Sequence, residues 1–357
     1  MKTIIVGCGG IAETHIEALR KLGIEVLRAV GRDPDKTRAF AERLGIPEYG
    51  TDLAEALRSD ADSVHICTPP TLRSEIVEAA LAAGKHVICE KPLAMNAEEA
   101  RSLADTAAGS GLVTALCCTA RFYPAIMEAS DIIRSGGIGK PLVLHGVYLQ
   151  QFHAPPHEDG WRFHTEISGN QRAISEIGTH WIDLSYALTG IRISEVYADL
   201  GNWYPVRYLR DGMLTAEPGG DPVRVVTEDA AAVTMKFENG AIGSLILSEV
   251  SRGHFNDLSI EVSGSQGTLR WEEAEAGKLY KSDGGSMKAE ETGGTDRAET
   301  FADMFREVYL AIGGKPHKAF PDFEDGAYIA LVCEAIRRSG ETGVQVRIDL
   351  HNKTVFR

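Results

Sequence analysis

The chain is expected to fold as a doubly wound α/β domain with a parallel sheet, followed by an α+β domain whose sheet is mostly antiparallel. Three observations carry this. Residues 1–120 alternate short β-branched runs with Ala-, Leu-, Glu- and Arg-rich stretches. The turn Ser135-Gly136-Gly137-Ile138-Gly139 ends that rhythm, and from residue 142 the strands become longer and alternate in polarity.

In the first part, strands are predicted at 2–6, 25–30, 63–67, 86–89 and 112–118. Their uniform apolarity implies that helices cover both faces. Those helices are predicted at 10–22, 34–44, 71–83 with Gly84 as the stop, and 96–109, opened by the cap Asn96 with Glu98 and Glu99 in the first turn. A helix at 124–134 precedes the glycine-rich turn. Further on, Val233 to Phe237 alternates apolar with polar residues, Asn239-Gly240 supplies a positive-φ turn, and Ile242 to Val250 returns as the partner strand. Strands at 257–263 and 267–272, a Gly/Ser/Glu-rich loop at 281–297, and helices at 298–312 and 324–338 complete the chain.

At 357 residues two domains are expected. The 43% hydrophobic and 25% charged residues support a real core and exclude global disorder. Lys plus Arg number 37 against 51 Asp plus Glu, for a net charge of -14 spread over both parts, so nucleic acid is excluded as a partner. The six cysteines, Cys8, Cys67, Cys89, Cys117, Cys118 and Cys333, form no CxxC pair and no zinc spacing, which fits a reduced compartment. Met1 and Lys2 lead straight into Ile4-Ile5-Val6, and no run of eighteen apolar residues occurs, so the expectation is a cytoplasmic protein without a membrane span.

The first chemical feature is Gly7-Cys8-Gly9-Gly10-Ile11-Ala12, a GxGxxA loop between the first strand and a helix. Its glycines let the backbone approach a pyrophosphate at the helix N-terminus, which implies a nicotinamide or flavin dinucleotide. The second strand ends in Gly31-Arg32-Asp33. An acidic residue at the strand tip would bind the ribose hydroxyls of NAD; Gly31 there leaves room, and Arg32 could pair with a 2′-phosphate, which favours NADP, while Asp33 could restore NAD binding.

The second feature is Glu90-Lys91-Pro92 after the apolar Val87-Ile88-Cys89. A lysine at the carboxyl edge of such a sheet can donate to a substrate hydroxyl and stabilise a developing alkoxide, with Glu90 offsetting its charge or positioning the loop. The third is Ser175 to Asp183, where helical spacing puts Glu176, His180 and Asp183 on one face. An imidazole beside a carboxylate is an acid/base arrangement.

Together these features resemble the Gfo/Idh/MocA family of glucose-fructose oxidoreductases and inositol dehydrogenases, over nearly the whole chain. The resemblance rests on the Gly7–Ala12 loop, on Glu90-Lys91-Pro92 within GKHVICEKPLAMNAEEA, and on Gly178-Thr179-His180. It implies a Rossmann NAD(P)-binding domain over 1–121. It implies an open-faced domain over 122–357 that binds substrate and forms a homo-oligomer, a dimer or tetramer, through its sheet. The activity implied is NAD(P)-linked oxidation or reduction of a sugar or polyol, with nicotinamide held in the cleft between the domains.

By the same resemblance Lys91 would bind the reacting hydroxyl and the nicotinamide ribose, and His180 would take the hydroxyl proton. Glu176 would stand where the family carries aspartate. Gly7, Gly9, Gly10, Ile11, Ala12, Gly31, Arg32, Thr68, Pro69, Glu90 and Lys91 would line the cofactor. Arg121, Gln150, Trp161 and Arg162 would join Lys91, Glu176 and His180 around the substrate, and the stretch from Tyr148 to Arg172 that holds Gln150, Trp161 and Arg162 is similar to the sugar-dehydrogenase branch. The chain departs from the pattern at Glu176, at Arg73, where many members have His, and at Thr68-Pro69-Pro70, which lacks a frequent Asn.

His153, His157 and His164 suggest a metal, but Pro155 and Pro156 break any helix that would align the first pair, and hydride transfer needs none, so no metal is expected. Two other functions fit the motifs: an NAD-dependent glycosidase of the same fold, and a non-catalytic NAD(P)-binding regulator.

Overall fold

The computed structural model describes residues 1–356. It divides into two compact units, Met1–Phe122 with Asp296–Ala327, and Tyr123–Thr295 with the chain from Tyr328 onward. Residues 296–327, which the sequence reading set with the C-terminal domain, thus group with the first unit.

Strands β1 (Lys2–Val6), β2 (Glu25–Val30), β3 (Glu48–Gly50), β4 (Ser63–Ile66), β5 (His86–Cys89) and β6 (Thr114–Leu116) form one parallel sheet in the order β3-β2-β1-β4-β5-β6. The order reverses between β1 and β4, and in such sheets ligands bind at the carboxyl ends of the strands flanking that point. Helices α1 (Gly10–Lys21), α2 (Pro34–Leu44), α3 (Leu53–Leu57), α4 (Arg73–Ala82) and α5 (Ala97–Ser110) connect the strands. As expected, Asn96 caps α5, its Oδ1 accepting from the Glu99 amide at 2.9 Å. The helix expected over 71–83 instead starts at Arg73, after a 3-10 turn over Pro70–Leu72. β3 and α3 escaped prediction because three and five residues are too few for a period to show.

The second unit runs through α6 (Pro124–Arg134), β7 (Pro141–Leu149), β8 (His157–Glu158), α7 (Thr165–Ser168), α8 (Thr179–Thr189), β9 (Ile193–Gly201), β10 (Val206–Arg210), β11 (Met213–Thr215), β12 (Asp221–Arg224), β13 (Ala230–Phe237), β14 (Ile242–Ser248), β15 (Asp257–Gly264), β16 (Thr268–Glu272), β17 (Lys278–Ser282) and β18 (Lys288–Glu291). Later come β19 (Val346–Asp349) and β20 (Thr354–Phe356). Ten of these make a sheet in the order β18-β17-β16-β15-β7-β14-β13-β9-β19-β20, parallel only at β7–β14. A smaller antiparallel sheet has the order β12-β10-β11-β8.

The expected hairpin is β13–β14, with Ala231, Val233, Met235 and Phe237 turned inward and Gly240 at φ +87°. Trp181 of α8 lies on the buried face and donates to the Ser259 carbonyl at 3.1 Å. A Cβ on Gly146 would come 2.0 Å from that carbonyl oxygen and 2.5 Å from the indole nitrogen, so glycine is what lets the helix seat there. The loop expected over 281–297 is a correction: it holds the end of β17 and all of β18. Lys288-Ala289-Glu290-Glu291 is exposed throughout, an edge strand made of charge rather than alternation, which hides it from a hydrophobic-pattern reading.

Helix α9 (Arg297–Ile312) explains the grouping of residues 296–327 with the first unit. Phe301, Phe305 and Tyr309, at i, i+4 and i+8, put three rings on one face. Phe305 sits 4.9 Å from the His15 ring and 4.8 Å from the His65 ring, and Tyr309 stacks on His65. Helix α10 (Phe323–Thr342) follows, and the Ser339 hydroxyl accepts from the Ala198 amide of β9 at 3.0 Å. Among the described residues no helix is long and apolar enough to cross a membrane.

Candidate functional site

In the first unit the site is a row of loops at the carboxyl ends of β1, β2, β4 and β5. Gly7 leaves β1 at φ +102°, donating to the Val30 carbonyl at 2.8 Å. A Cβ there would stand 2.7 Å from the Cys67 carbonyl oxygen, so only glycine lets the loops after β1 and β4 approach this closely. Gly9 caps α1 with no side-chain hydrogen bond, and no atom lies within 4 Å of a notional Cβ on Gly9 or Gly10. The N-terminus of α1 is therefore bare of its own side chains, the arrangement that receives a phosphate. Ala12 is buried, whereas Ile11 is exposed. The Thr68 hydroxyl is buried without a hydrogen-bond partner among the described residues, next to Pro69 at the end of β4. An open helix end and an orphaned hydroxyl on adjoining loops fit a dinucleotide.

Gly31 donates to the Gly50 carbonyl at 3.1 Å. A Cβ at this position would lie 2.2 Å from Thr37 Oγ1 and 3.1 Å from Cys8 Sγ, so local packing favours the glycine. Arg32 is exposed. Asp33 is the N-cap of α2; its Oδ1 accepts from the Asp35 and Lys36 amides, both at 3.0 Å, and these bonds hold its carboxyl below the usual carboxylate range.

The Lys91-Pro92 turn follows β5, with a cis peptide between the two residues. Arg73 is buried beside it and donates to the Thr68 carbonyl from Nε at 3.0 Å and Nη2 at 2.7 Å, and to the Pro92 carbonyl from Nη1. Arg73 thereby ties the turn after β4 to the turn after β5. Glu90 points inward: Oε1 lies 3.1 Å from His15 Nε2, and Oε2 accepts the Lys91 amide at 3.1 Å. Burial alone would raise the Glu90 carboxyl; the His15 bond and the charges of His15, Lys91 and Arg73 outweigh it and hold the group below its ordinary range. His15, Glu90 and Cys117 bring one donor atom each within 4.8 Å of one another, a cluster that sequence reasoning missed. Arg121 pairs with Asp325 at 2.9 Å.

In the second unit Glu176 and His180 straddle a change of helix type. Residues Ile174–Gly178 form a π-turn, and α8 starts only at Thr179. The helical spacing assumed from sequence therefore does not run unbroken from Glu176 to Asp183, because the wider turn resets the angle between them. Gly178 makes room for the sheet, since a Cβ there would lie 2.8 Å from Leu247 Cδ1. Glu176 accepts from Arg162 Nε at 2.9 Å, and the Arg162 guanidinium lies 4.4 Å from the Trp161 ring centroid. His180 is buried, its ring 5.8 Å from that of Tyr148. Gln150 donates to Asn256 Oδ1 at 2.6 Å, and the Tyr148 hydroxyl donates to the same atom at 3.2 Å.

Behind this segment lies an ion network invisible to motif reading. Arg172 donates to Glu249 at 2.7 Å and also to Asp229; Arg207 donates to Asp229 at 2.7 Å; all four side chains are buried. The Phe163 ring lies 4.9 Å from the Arg172 guanidinium and 4.6 Å from that of Arg207. His153 joins Glu249 at 2.9 Å. His157 Nδ1 donates to the Glu158 carbonyl at 2.7 Å, its Nε2 accepts from Arg207, and burial pushes the ring down to about 4. His164 lies 3.5 Å from Asp159. Two of the three histidines considered as ligands are therefore members of the ion network.

Comparison with known proteins agrees with this geometry. Residues 1–116 match the model for an oxidoreductase family with an NAD-binding Rossmann fold, and residues 126–270 match the GFO/IDH/MocA C-terminal domain. The chain is 31% identical to levoglucosan dehydrogenase from Pseudarthrobacter phenanthrenivorans over 86% of its own length and 85% of the relative's. It is 27% identical to myo-inositol 2-dehydrogenase from Thermotoga maritima over 75% of its length and 74% of the relative's. A levoglucosan dehydrogenase solved with NADH and L-sorbose superposes with a TM-score of 0.91 at 27% identity, covering 97% of this chain and 98% of the other. The chain belongs to the GFO/IDH/MocA oxidoreductase family.

Proposed function

We propose that the protein is an NAD(P)-dependent oxidoreductase that moves a hydride between a sugar or polyol CH–OH carbon and nicotinamide C4. The observation that carries the reading is the combination, in one family member, of a side-chain-free helix end after β1, a lysine at the end of β5, and the pair Glu176 and His180. The relatives named above act on levoglucosan and on myo-inositol, which supports a carbohydrate or cyclitol substrate.

Bound nicotinamide supplies the hydride acceptor. The chain's own residues do the rest: Lys91 donates to the reacting oxygen and stabilises its negative charge as the proton leaves, and His180 takes that proton. Glu176, held by Arg162, orients the sugar or the imidazole and stabilises the imidazolium. Trp161, Arg162 and Gln150 supply the stacking surface and polar contacts a sugar requires, and Arg121 adds a positive charge balanced by Asp325.

NAD binding is the common ground of the family; the finer proposal is a preference for NADP. Exposed Arg32 supports it, whereas the Asp33 carboxylate, with Oδ1 already occupied by two amides, favours NAD through Oδ2. We further assign homo-oligomer formation to the outer face of the ten-stranded sheet, where Val143, Tyr197, Ile242 and Ile246 are exposed.

The test is absorbance at 340 nm with NAD and NADP over monosaccharides, anhydrosugars and inositols. Turnover that is lost in Lys91→Ala and His180→Ala while dinucleotide binding persists supports the reading. Full activity in Lys91→Ala overturns the mechanism, release of free sugar without NAD(P)H accumulation favours a glycosidase, and binding without turnover of any compound favours a regulator.

A further inference from the structure

The proposed hydride chemistry leaves a buried polar array in the first unit without a task. It starts at the Lys91 amide, which donates to Glu90 Oε2 at 3.1 Å. From Glu90 Oε1 it continues to His15 Nε2 at 3.1 Å, from His15 Nδ1 to His65 Nδ1 at 2.9 Å, and from His65 Nε2 to the Tyr309 hydroxyl at 3.1 Å. That hydroxyl also lies 2.8 Å from Ser63 Oγ. The members come from α1, β4, the end of β5 and α9, and the two histidines have no exposed surface. Four elements have converged to satisfy one carboxylate, and buried polar groups without partners would be costly.

Hydrogen counting orients the array. Glu90 is ionised, so it accepts, and His15 must carry hydrogen on Nε2. Burial, followed by the repulsion of His15, keeps His65 uncharged, so it has one ring hydrogen. The two rings meet Nδ1 to Nδ1, and the Tyr309 hydroxyl, raised to about 12 by burial, remains a donor. His15 Nε2–H therefore donates to Glu90, one hydrogen lies between the two Nδ1 atoms, and the Tyr309 hydroxyl closes the array against His65 Nε2. Cys117, whose thiol burial keeps protonated, adds a weak contact at 3.8 Å to the same His15 nitrogen. The rings of Phe301 and Phe305 close the remaining sides.

We propose that His15 is a positioning residue for Lys91: held between His65 and the Glu90 carboxylate, it clamps that carboxylate, and the carboxylate holds the amide of Lys91. Arg73 grips the carbonyl of Pro92 from the other side, so the backbone on both sides of the lysine is pinned by buried side chains. The lysine side chain then meets its substrate from a preorganised backbone. The inference rests on the catalytic role proposed for Lys91, and its test separates the two.

The measurement is amide hydrogen exchange of the segment spanning Glu90 to Leu93 in the full-length protein, with α5 as an internal control. In His15→Phe, exchange at the Lys91 amide is expected to quicken by roughly tenfold or more, the scale of a lost hydrogen bond to a charged group, while α5 is unchanged. His15→Gln, whose amide can still donate to Glu90, is expected to restore most of the protection, and kcat with the best sugar or inositol should follow the same order with the NADH Kd little changed. His65→Phe, which removes the hydrogen-bond partner of His15 Nδ1, serves as a second variant, should His15→Phe fold poorly. Nitrogen-15 histidine spectra should show His15 protonated at Nε2.

Unchanged exchange in both ring variants, a bare Nε2 on His15, or a stoichiometric metal that Cys117→Ser releases would each overturn the proposal. Full activity in Lys91→Ala would overturn the catalytic reading instead, while leaving the exchange result intact.

Discussion

The candidate residues fall into two halves, one in each unit, built from different materials. In the first unit the dinucleotide site is mostly backbone: Gly7 at a positive φ, the open N-terminus of α1, and the Thr68 turn. In the second, Glu176 and His180 depend on side chains, with Arg162 on the carboxylate and the Arg172, Arg207, Asp229 and Glu249 network behind the segment. A backbone site requires a few local residues that permit close approach. A side-chain site requires charges from distant strands to meet in a buried place, where each is stable only with its partners.

This contrast is tested most severely at the chemistry. His180→Ala should reduce kcat by about 10²–10⁴-fold, the usual contribution of a general base, with NADH affinity unchanged. Loss of NADH affinity alongside turnover would mean that the two halves are not separable in function.

Next in size is Asp229→Ala. It leaves Arg172 and Arg207 buried beside a lost partner and should destabilise folding by about 3–5 kcal/mol in chemical denaturation. A change within about 0.5 kcal/mol, the range of ordinary surface substitutions, would show that the network is not what holds this region.

Gly7→Ala tests the backbone half. A Cβ at φ +102°, 2.7 Å from the Cys67 carbonyl oxygen, should reduce stability by about 1–3 kcal/mol and weaken NADH binding. The sugar KM extrapolated to saturating cofactor should not change.

The smallest effect expected is on pH dependence. His157 is held at about 4 by burial, while the unfolded ring takes up a proton near 6.5, so the unfolded state binds more protons between those values. Stability should therefore fall as pH drops from about 6.5 to about 4, and His157→Phe should flatten the melting temperature over that window. An unchanged slope in the variant would assign the acid sensitivity to another group.

Several parts of the molecule were legible before folding. The Gly7–Ala12 loop, the Asn96 cap and the Asn239-Gly240 hairpin are local, so neighbouring residues carry all the information. The β18 edge strand was missed because its residues are charged and exposed, and it pairs only because β17 lies beside it. Glu90 is legible as a group that positions the Lys91 loop, but its partner His15, 75 residues earlier in the chain, is not. Arg73 was visible only as a departure from a pattern, whereas its bonds to Thr68 and Pro92 give it a place in the fold.

The sequence by itself determined the class of fold, the place of the dinucleotide loop and the residue types available for hydride chemistry. These follow from periodicity, from glycine's freedom at positive φ, and from which side chains can donate or accept a proton. Only the tertiary structure decided that α9 returns to the first unit, that a π-turn separates Glu176 from α8, and which buried charges meet. Such pairings depend on contacts between residues far apart in the chain, and burial then makes each polar group depend on the partner that folding brings to it.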